Sequence, residues 1–226
     1  MIEFVPGQVW ITWIPLRFFG LPMGTRMTAI KLASGGLFIH SPVPPTPEIM
    51  DFIAREGPVR FVAAPNRLHH LYVSPFLDAV PGAELWIVKE LAKKRSDLTP
   101  TGILSDQPEP SWADEIDQCL FRGSFYQEEA VFLHRASRTL IVVDLLESVH
   151  RDDPWYYRFF GRLAGTYERP GLTRDQRLAF RDRPAARASA ERILSWDFER
   201  IVLAHGKLVE RDGKRVFAQA MRWLTG

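Results

Sequence analysis

The 226-residue chain has six histidines, and four of them stand where a strand should end. His40 follows the apolar run Leu37-Phe-Ile. The pair His69-His70 comes just after Phe61-Val-Ala-Ala, and His205 follows Ile201-Val-Leu-Ala. Asp144 has the same kind of position after Leu140-Ile-Val-Val. In layered α/β sheets, ligand and catalytic groups gather where strands end and loops begin. Imidazoles and a carboxylate brought to one edge make a donor set for zinc or iron. Taken singly, a histidine at a strand end is a hydrogen-bonded structural residue, and an aspartate there is a helix cap. Adjacent histidines diverge on a regular strand or helix, so His69 and His70 share a metal only in a loop or a first helical turn. His134 falls in a hairpin link and reads as structural. His150 reads as a solvated loop residue.

The elements that must position these groups alternate. Met27-Thr-Ala-Ile-Lys-Leu and Leu37-Phe-Ile-His read as strands around a Ser34-Gly-Gly turn. Thr46-Pro-Glu opens a helix that Gly57-Pro58 ends. Val59 to Ala64 is a strand, Ser74 to Val80 a helix, and Leu85 to Val88 a strand. That order predicts a layered α/β protein. Lys89 to Glu115 is polar and proline-rich and reads as mostly loop. Cys119 reads as a buried residue in a helix-like stretch. Ala130 to Leu133 and Thr139 to Val143 read as a β-hairpin. Helices are expected over Trp155–Gly165 and Thr173–Trp196, the second divided or kinked at Pro184. A strand from Arg200 to Ala204 and a helix from Val216 to Leu224 close the chain. The arginines between 174 and 192 read as a solvated helix face pairing with Asp175, Asp182 and Glu191. Arg181 and Arg183 could instead reach an anionic substrate.

Composition narrows the function classes. Lys and Arg number 29 and Asp and Glu 27, a net charge of +2, which gives no global field for nucleic acid or an acidic membrane. No P-loop or dinucleotide motif is present. Cys119 is the sole cysteine, so neither an internal disulfide nor a cysteine-rich zinc module forms. A soluble, cytoplasmic protein acting on a small molecule is expected. The aromatic N-terminal stretch carries Glu3 and Arg17 and fits neither a signal peptide nor a membrane span, so Trp10, Trp13, Phe18 and Phe19 are expected in the core.

Several segments together carry a resemblance: Phe38-Ile-His-Ser-Pro-Val, Ala64-Pro-Asn-Arg-Leu-His-His-Leu-Tyr, Lys94-Arg-Ser-Asp-Leu, His134-Arg-Ala-Ser-Arg-Thr-Leu-Ile-Val-Val-Asp-Leu, Arg181-Asp-Arg-Pro-Ala-Ala-Arg-Ala-Ser and Ala204-His-Gly. Over nearly the whole chain, the sequence resembles the metallo-β-lactamase fold superfamily. More narrowly it resembles a bacterial and plant family within it that is labelled a domain of unknown function. The resemblance implies an αββα sandwich in one domain spanning residues 1–226. It also implies a metal motif, HxHxDH, of which His70 takes the last place and His69 the place of the aspartate. Pro65 and Arg67 fall at the first two histidines, and Arg122-Gly-Ser-Phe-Tyr lacks the third-motif histidine. Asp144 matches the bridging aspartate and His205-Gly206 the late His-Gly.

By this resemblance one metal site is lost and one kept. The implied ligands are His69, His70, Asp144 and His205 around a single zinc or iron ion, with Asp144 also the catalytic residue that orients water. His40 stands beside them as a supporting group or extra ligand. The implied activity is metal-dependent hydrolysis. Two alternatives stay open at this stage: a metal-free, non-catalytic binding or scaffold protein keeping the fold, and an iron-dependent oxidoreductase.

Overall fold

The structure is a computed structural model that describes residues 1–126 and 128–226. In chain order its elements are β1 (Ile2–Val5), β2 (Val9–Ile14), β3 (Arg17–Phe18), β4 (Leu21–Pro22), β5 (Thr25–Lys31), β6 (Leu37–His40), α1 (Pro47–Glu56), β7 (Val59–Ala64), α2 (Val73–Ala79) and β8 (Glu84–Ile87). There follow α3 (Lys89–Lys94), β9 (Gly102–Ile103), β10 (Ile116–Phe121), β11 (Glu129–His134), β12 (Thr139–Ile141), α4 (Trp155–Ala164), α5 (Arg174–Leu178), α6 (Arg183–Ser195), β13 (Arg200–Val202) and α7 (Gly213–Thr225).

Seven strands form one sheet in the order β1-β2-β5-β6-β7-β8-β9, and four form another in the order β10-β11-β12-β13. β6 through β9 are parallel neighbours, and α1, α2 and α3 supply their crossovers. Parallel pairing demands such crossovers, because a tight turn reverses the chain. β12 and β13 are parallel as well.

Alternating side chains divide the interior. Along β11, Ala130 and Phe132 join the core between the sheets, while Val131 and Leu133 join a second core with α6 and α7. Phe132 packs on Phe38 of the opposite sheet with ring centroids 5.4 Å apart. On the outer face of that sheet, Trp10 meets Phe52 of α1 at 5.4 Å. α7 buries Phe217, Ala220, Met221 and Leu224, one helical stripe.

Local chemistry explains the boundaries. α1 starts with Pro47 after Thr46 and stops at Gly57, whose φ is 132°. There a Cβ would stand 2.4 Å from the Gly35 carbonyl. The expected long helix from Thr173 to Trp196 is two helices. Thr173 and Gln176 form a capping box on α5, and Asp182 caps α6 with Pro184 in its first turn.

Two expectations are corrected. Cys119 lies on β10, a strand whose residues alternate between the two cores, not on a helix. The Lys89–Glu115 stretch is mostly loop, as expected, and also supplies α3 and β9. Of the N-terminal aromatics only Trp10 is core. Trp13 is half exposed, its indole covering Gly24, Phe18 is also half exposed, and Phe19 is 92% exposed.

The arginine-rich segment pairs in part as expected. Arg187 meets Glu191 at 2.8 Å. Asp182 serves as a cap instead, and Arg192 reaches the Asp106 carbonyl at 2.6 Å. Arg181 lies over the Phe125 ring, 4.4 Å from its centroid.

Candidate metal centre

The carboxyl ends of β6, β7, β12 and β13 converge, and each delivers a polar side chain. His69 Nε2, Asp144 Oδ1 and His205 Nε2 form a triangle with sides of 3.3, 3.1 and 3.3 Å. Asp144 and His205 are buried and His69 nearly so. His205 Nδ1 donates to the Gly24 carbonyl at 2.9 Å. A carbonyl can only accept, so in neutral His205 Nε2 is left as an acceptor. Asp144 Oδ2 accepts from Asn66 Nδ2 at 2.6 Å, which leaves Oδ1 facing the cluster. His69 Nδ1 stands 2.7 Å from Ser41 Oγ, so its Nε2 also faces inward. Acceptor atoms this close repel one another unless a proton or a cation lies among them.

The triangle fits a metal ion. Zinc bonds of about 2.0–2.2 Å give a tetrahedron with edges of roughly 3.3–3.6 Å, close to the sides observed. Each ligating side chain is also fixed on its far side by a hydrogen bond, the arrangement that sets tautomer and orientation in metal centres.

The supporting residues are built in from several elements. Asn66 Oδ1 accepts from the backbone of Leu68 and His69 at 2.8 and 2.9 Å, shaping the turn that points His69 inward. Ser41 has a φ of 54°, an unfavourable region for a side chain, and its amide donates to Ala63. Glu129 of β11 is buried, and its two oxygens accept from the amides of Val143, Asp144 and Leu145 at 2.8–2.9 Å. It thereby fixes the backbone that carries Asp144. Buried Arg26 donates to the carbonyls of Leu203 and Gly206, either side of His205. Gly206 has a φ of 105°, and a Cβ there would lie 2.2 Å from the Ser148 carbonyl, so only glycine passes.

Electrostatics follow from this packing. Burial alone would raise the Asp144 carboxyl, but His69 and His205 outweigh it and hold Asp144 well below the usual carboxylate range. Burial would lower His205, but the Asp144 hydrogen bond and charge raise it instead. Burial and the adjacent Asp144 charge push the Glu129 carboxyl up, against the pull of its three amide donors.

Of the residues expected at the site, the structure brings together His69, Asp144 and His205. His70 is turned aside, its Nδ1 3.0 Å from an Arg95 guanidinium nitrogen. Burial, then Lys94 and Arg95, lower its pKa to about 4. His40 is buried between the sheets against Phe132, outside the triangle, and burial lowers it to about 3. Its Nε2 has no hydrogen-bond partner among the described residues. His134 bonds Ser137 Oγ at 2.8 Å within the hairpin, and His150 pairs with Asp152 and Glu168.

Sequence reasoning missed Asn66, Ser41, Glu129 and Arg26. Only Glu129 carried a signal, a carboxylate opening an apolar strand. The triangle lies in the wall of an open, mainly apolar cavity of about 920 Å³.

Comparison with known proteins places the fold. The family model described as "Domain of unknown function (DUF4336)" matches residues 6–164, and the chain belongs to that family. A comparison with curated proteins returned no significant match. Among solved structures, the chain is similar to a metallo-β-lactamase from Pontibacter korlensis. The two are 12% identical, 96% of each chain is covered, and the TM-score is 0.67. It is similar also to the metallo-β-lactamase FIM-1 from Pseudomonas aeruginosa in its mono-zinc form, at 11% identity and TM-score 0.64, covering 98% of this chain and 95% of that one. A third, from Erythrobacter litoralis, gives 11% identity and TM-score 0.65 over 96% and 93%. The fold is therefore the metallo-β-lactamase sandwich, as the resemblance implied.

Proposed function

We propose that the protein is a mononuclear metal-dependent hydrolase acting on a small molecule in the cytoplasm, folded as one domain over residues 1–226. The observation that carries this reading is the triangle of acceptor atoms on His69, Asp144 and His205. These residues would hold one zinc or iron ion. Such an ion supplies Lewis acidity, polarising an ester, thioester, amide or phosphoester oxygen and making water acidic near neutral pH.

The chain's own groups do the rest. Asp144 presents Oδ1 toward the reacting centre while Asn66 anchors Oδ2, so Oδ1 would hold the ion and orient a water beside it. Hydrolysis forms a bond from that water oxygen to the acyl or phosphoryl centre. The bond to the leaving oxygen, sulfur or nitrogen breaks, and the departing group takes up the proton that the water gives up. His205 is held in one orientation by the bond from its Nδ1 to the Gly24 carbonyl, so its ring need not turn for the step.

The donor set favours a second reading. Two histidines and one carboxylate form the facial triad of non-haem iron sites, so an iron-dependent oxidoreductase uses the same residues. A panel of chromogenic esters, thioesters and phosphoesters, assayed with the zinc-loaded and the iron-loaded protein, tests the choice. Turnover with zinc that His205→Ala abolishes supports hydrolysis. Oxygen consumption with iron alone would transfer the assignment to redox chemistry.

A further inference from the structure

The cavity walls are unusual for a water-filled cleft. Phe19 is 92% exposed, and Phe125, Leu71, Leu163 and Phe160 are all about half exposed or more. All line the same cavity as His69, Asp144 and His205. They come from four separate places, the β3–β4 hairpin, the His69 turn, the loop after β10 and α4. At about 920 Å³ the cavity is near the upper end for a small-molecule site. Leaving this much apolar surface in water is unfavourable, and a clustered patch of this kind marks a binding site.

The polar lining is uneven. The Lys94 ammonium lines the cavity and donates to the Arg67 carbonyl at 2.9 Å, two residues before His69. Burial first, then the charges of Arg67 and Arg95, lower its pKa, with Asp97 engaged by Arg95. A cation thus lies on the cavity wall that carries the His69–His70 turn, while the β3–β4 hairpin and α4 contribute apolar groups. A ligand complementary to both has an anionic or carbonyl group at one end and a long apolar chain at the other.

We infer that the cavity binds a long-chain acyl amphiphile as a monomer, its carboxyl-derived end at Lys94 and the His69–Asp144–His205 cluster and its chain along Phe19, Phe160 and Leu163. The inference rests on the hydrolase reading for which end lies at the cluster. Binding itself does not depend on it.

The test is displacement of a fluorescent polyene fatty acid from the full chain, with and without chelator, by butanoate, octanoate and dodecanoate. Each buried methylene tightens binding roughly fourfold, so dodecanoate should displace the probe at concentrations at least about a hundredfold below butanoate. Leu163→Asp should weaken every long-chain ligand. Because Leu163 is exposed, circular dichroism should stay unchanged. Lys94→Gln should weaken dodecanoate about three- to tenfold and leave dodecanol unaffected. Affinity independent of chain length overturns the inference. So does a dimer, by light scattering, that Leu163→Asp dissociates while dodecanoate fails to bind. Adsorption to phosphatidylcholine vesicles that dodecanoate does not reverse also overturns it, since the walls then serve a lipid surface. Chain-length-dependent binding without ester turnover leaves the inference standing and removes only the hydrolase reading. Turnover of short and long esters at equal rates does the reverse.

Discussion

His205 Nε2 lies 3.1 Å from Asp144 Oδ1, although 61 residues separate them in sequence. Asp144 arrives at the end of the β12 segment and His205 just past β13, and these are parallel neighbours, Ile141 pairing with Val202. The two side chains meet because each follows its strand by three residues.

That register leads to the first prediction. His205→Ala removes one of three converging donors and should lower metal affinity by at least about a hundredfold. It should also lower the thermal midpoint of the metal-loaded protein, because an ion bound only by the folded state adds to its stability. His134→Ala removes a histidine of equal burial that bonds only within its hairpin, and metal content should stay unchanged. Metal content of both variants by elemental analysis decides it. Equal loss in the two would mean the triangle is not the site.

Much of this arrangement was legible in the sequence. The succession of strand and helix from Leu37 to Ile87 follows from apolar runs separated by Pro, Gly and capping residues, which act locally. Asp144 and His205 were legible because each directly follows a buried run. The His69-His70 pair was legible as a place, but its division was not. Which of two adjacent imidazoles turns inward depends on Asn66 bonding the amides of Leu68 and His69, and on Arg95 from a distant loop claiming His70. Glu129 and Arg26 act across the fold on backbone groups, and no spacing rule encodes such contacts. Phe18 and Phe19 misled because hydrophobic sequence signals burial on average, while here it lines an open cavity.

The second prediction concerns Glu129. Replacing it with Gln leaves one acceptor oxygen for three buried amides and turns an NH₂ toward them. Each donor left unsatisfied costs about 1–3 kcal/mol. Glu129→Gln should therefore destabilise the fold by about 2–4 kcal/mol in urea unfolding and weaken metal binding about 10–100-fold through the displaced Asp144. Unchanged metal affinity would show that Glu129 does not position Asp144.

His70 supplies the third. Its Nδ1 engages Arg95 and lies outside the triangle, so His70→Gln should retain full metal occupancy. The cost in stability should stay within about 1 kcal/mol, the value of one hydrogen bond. Loss of the ion in this variant would restore His70 to the ligand set.

The fourth concerns pH. Burial lowers His134 from 6.5 to about 4, so the folded state disfavours its proton and the unfolded state takes it up first. Its contribution is complete above about pH 6.5 and shrinks as pH falls toward 4, amounting to about 3 kcal/mol. Urea midpoints measured between neutral pH and pH 4.5 should fall more steeply for the wild type than for His134→Gln. Parallel slopes would show that His134 does not titrate with unfolding.

The central claim is that His69, Asp144 and His205 hold a single ion, and elemental analysis tests it most directly. The full chain, without an affinity tag and purified without chelator after growth with added zinc and iron, is measured against protein concentration. About one zinc or iron per chain is the expected result. No ion, or two per chain, would contradict it.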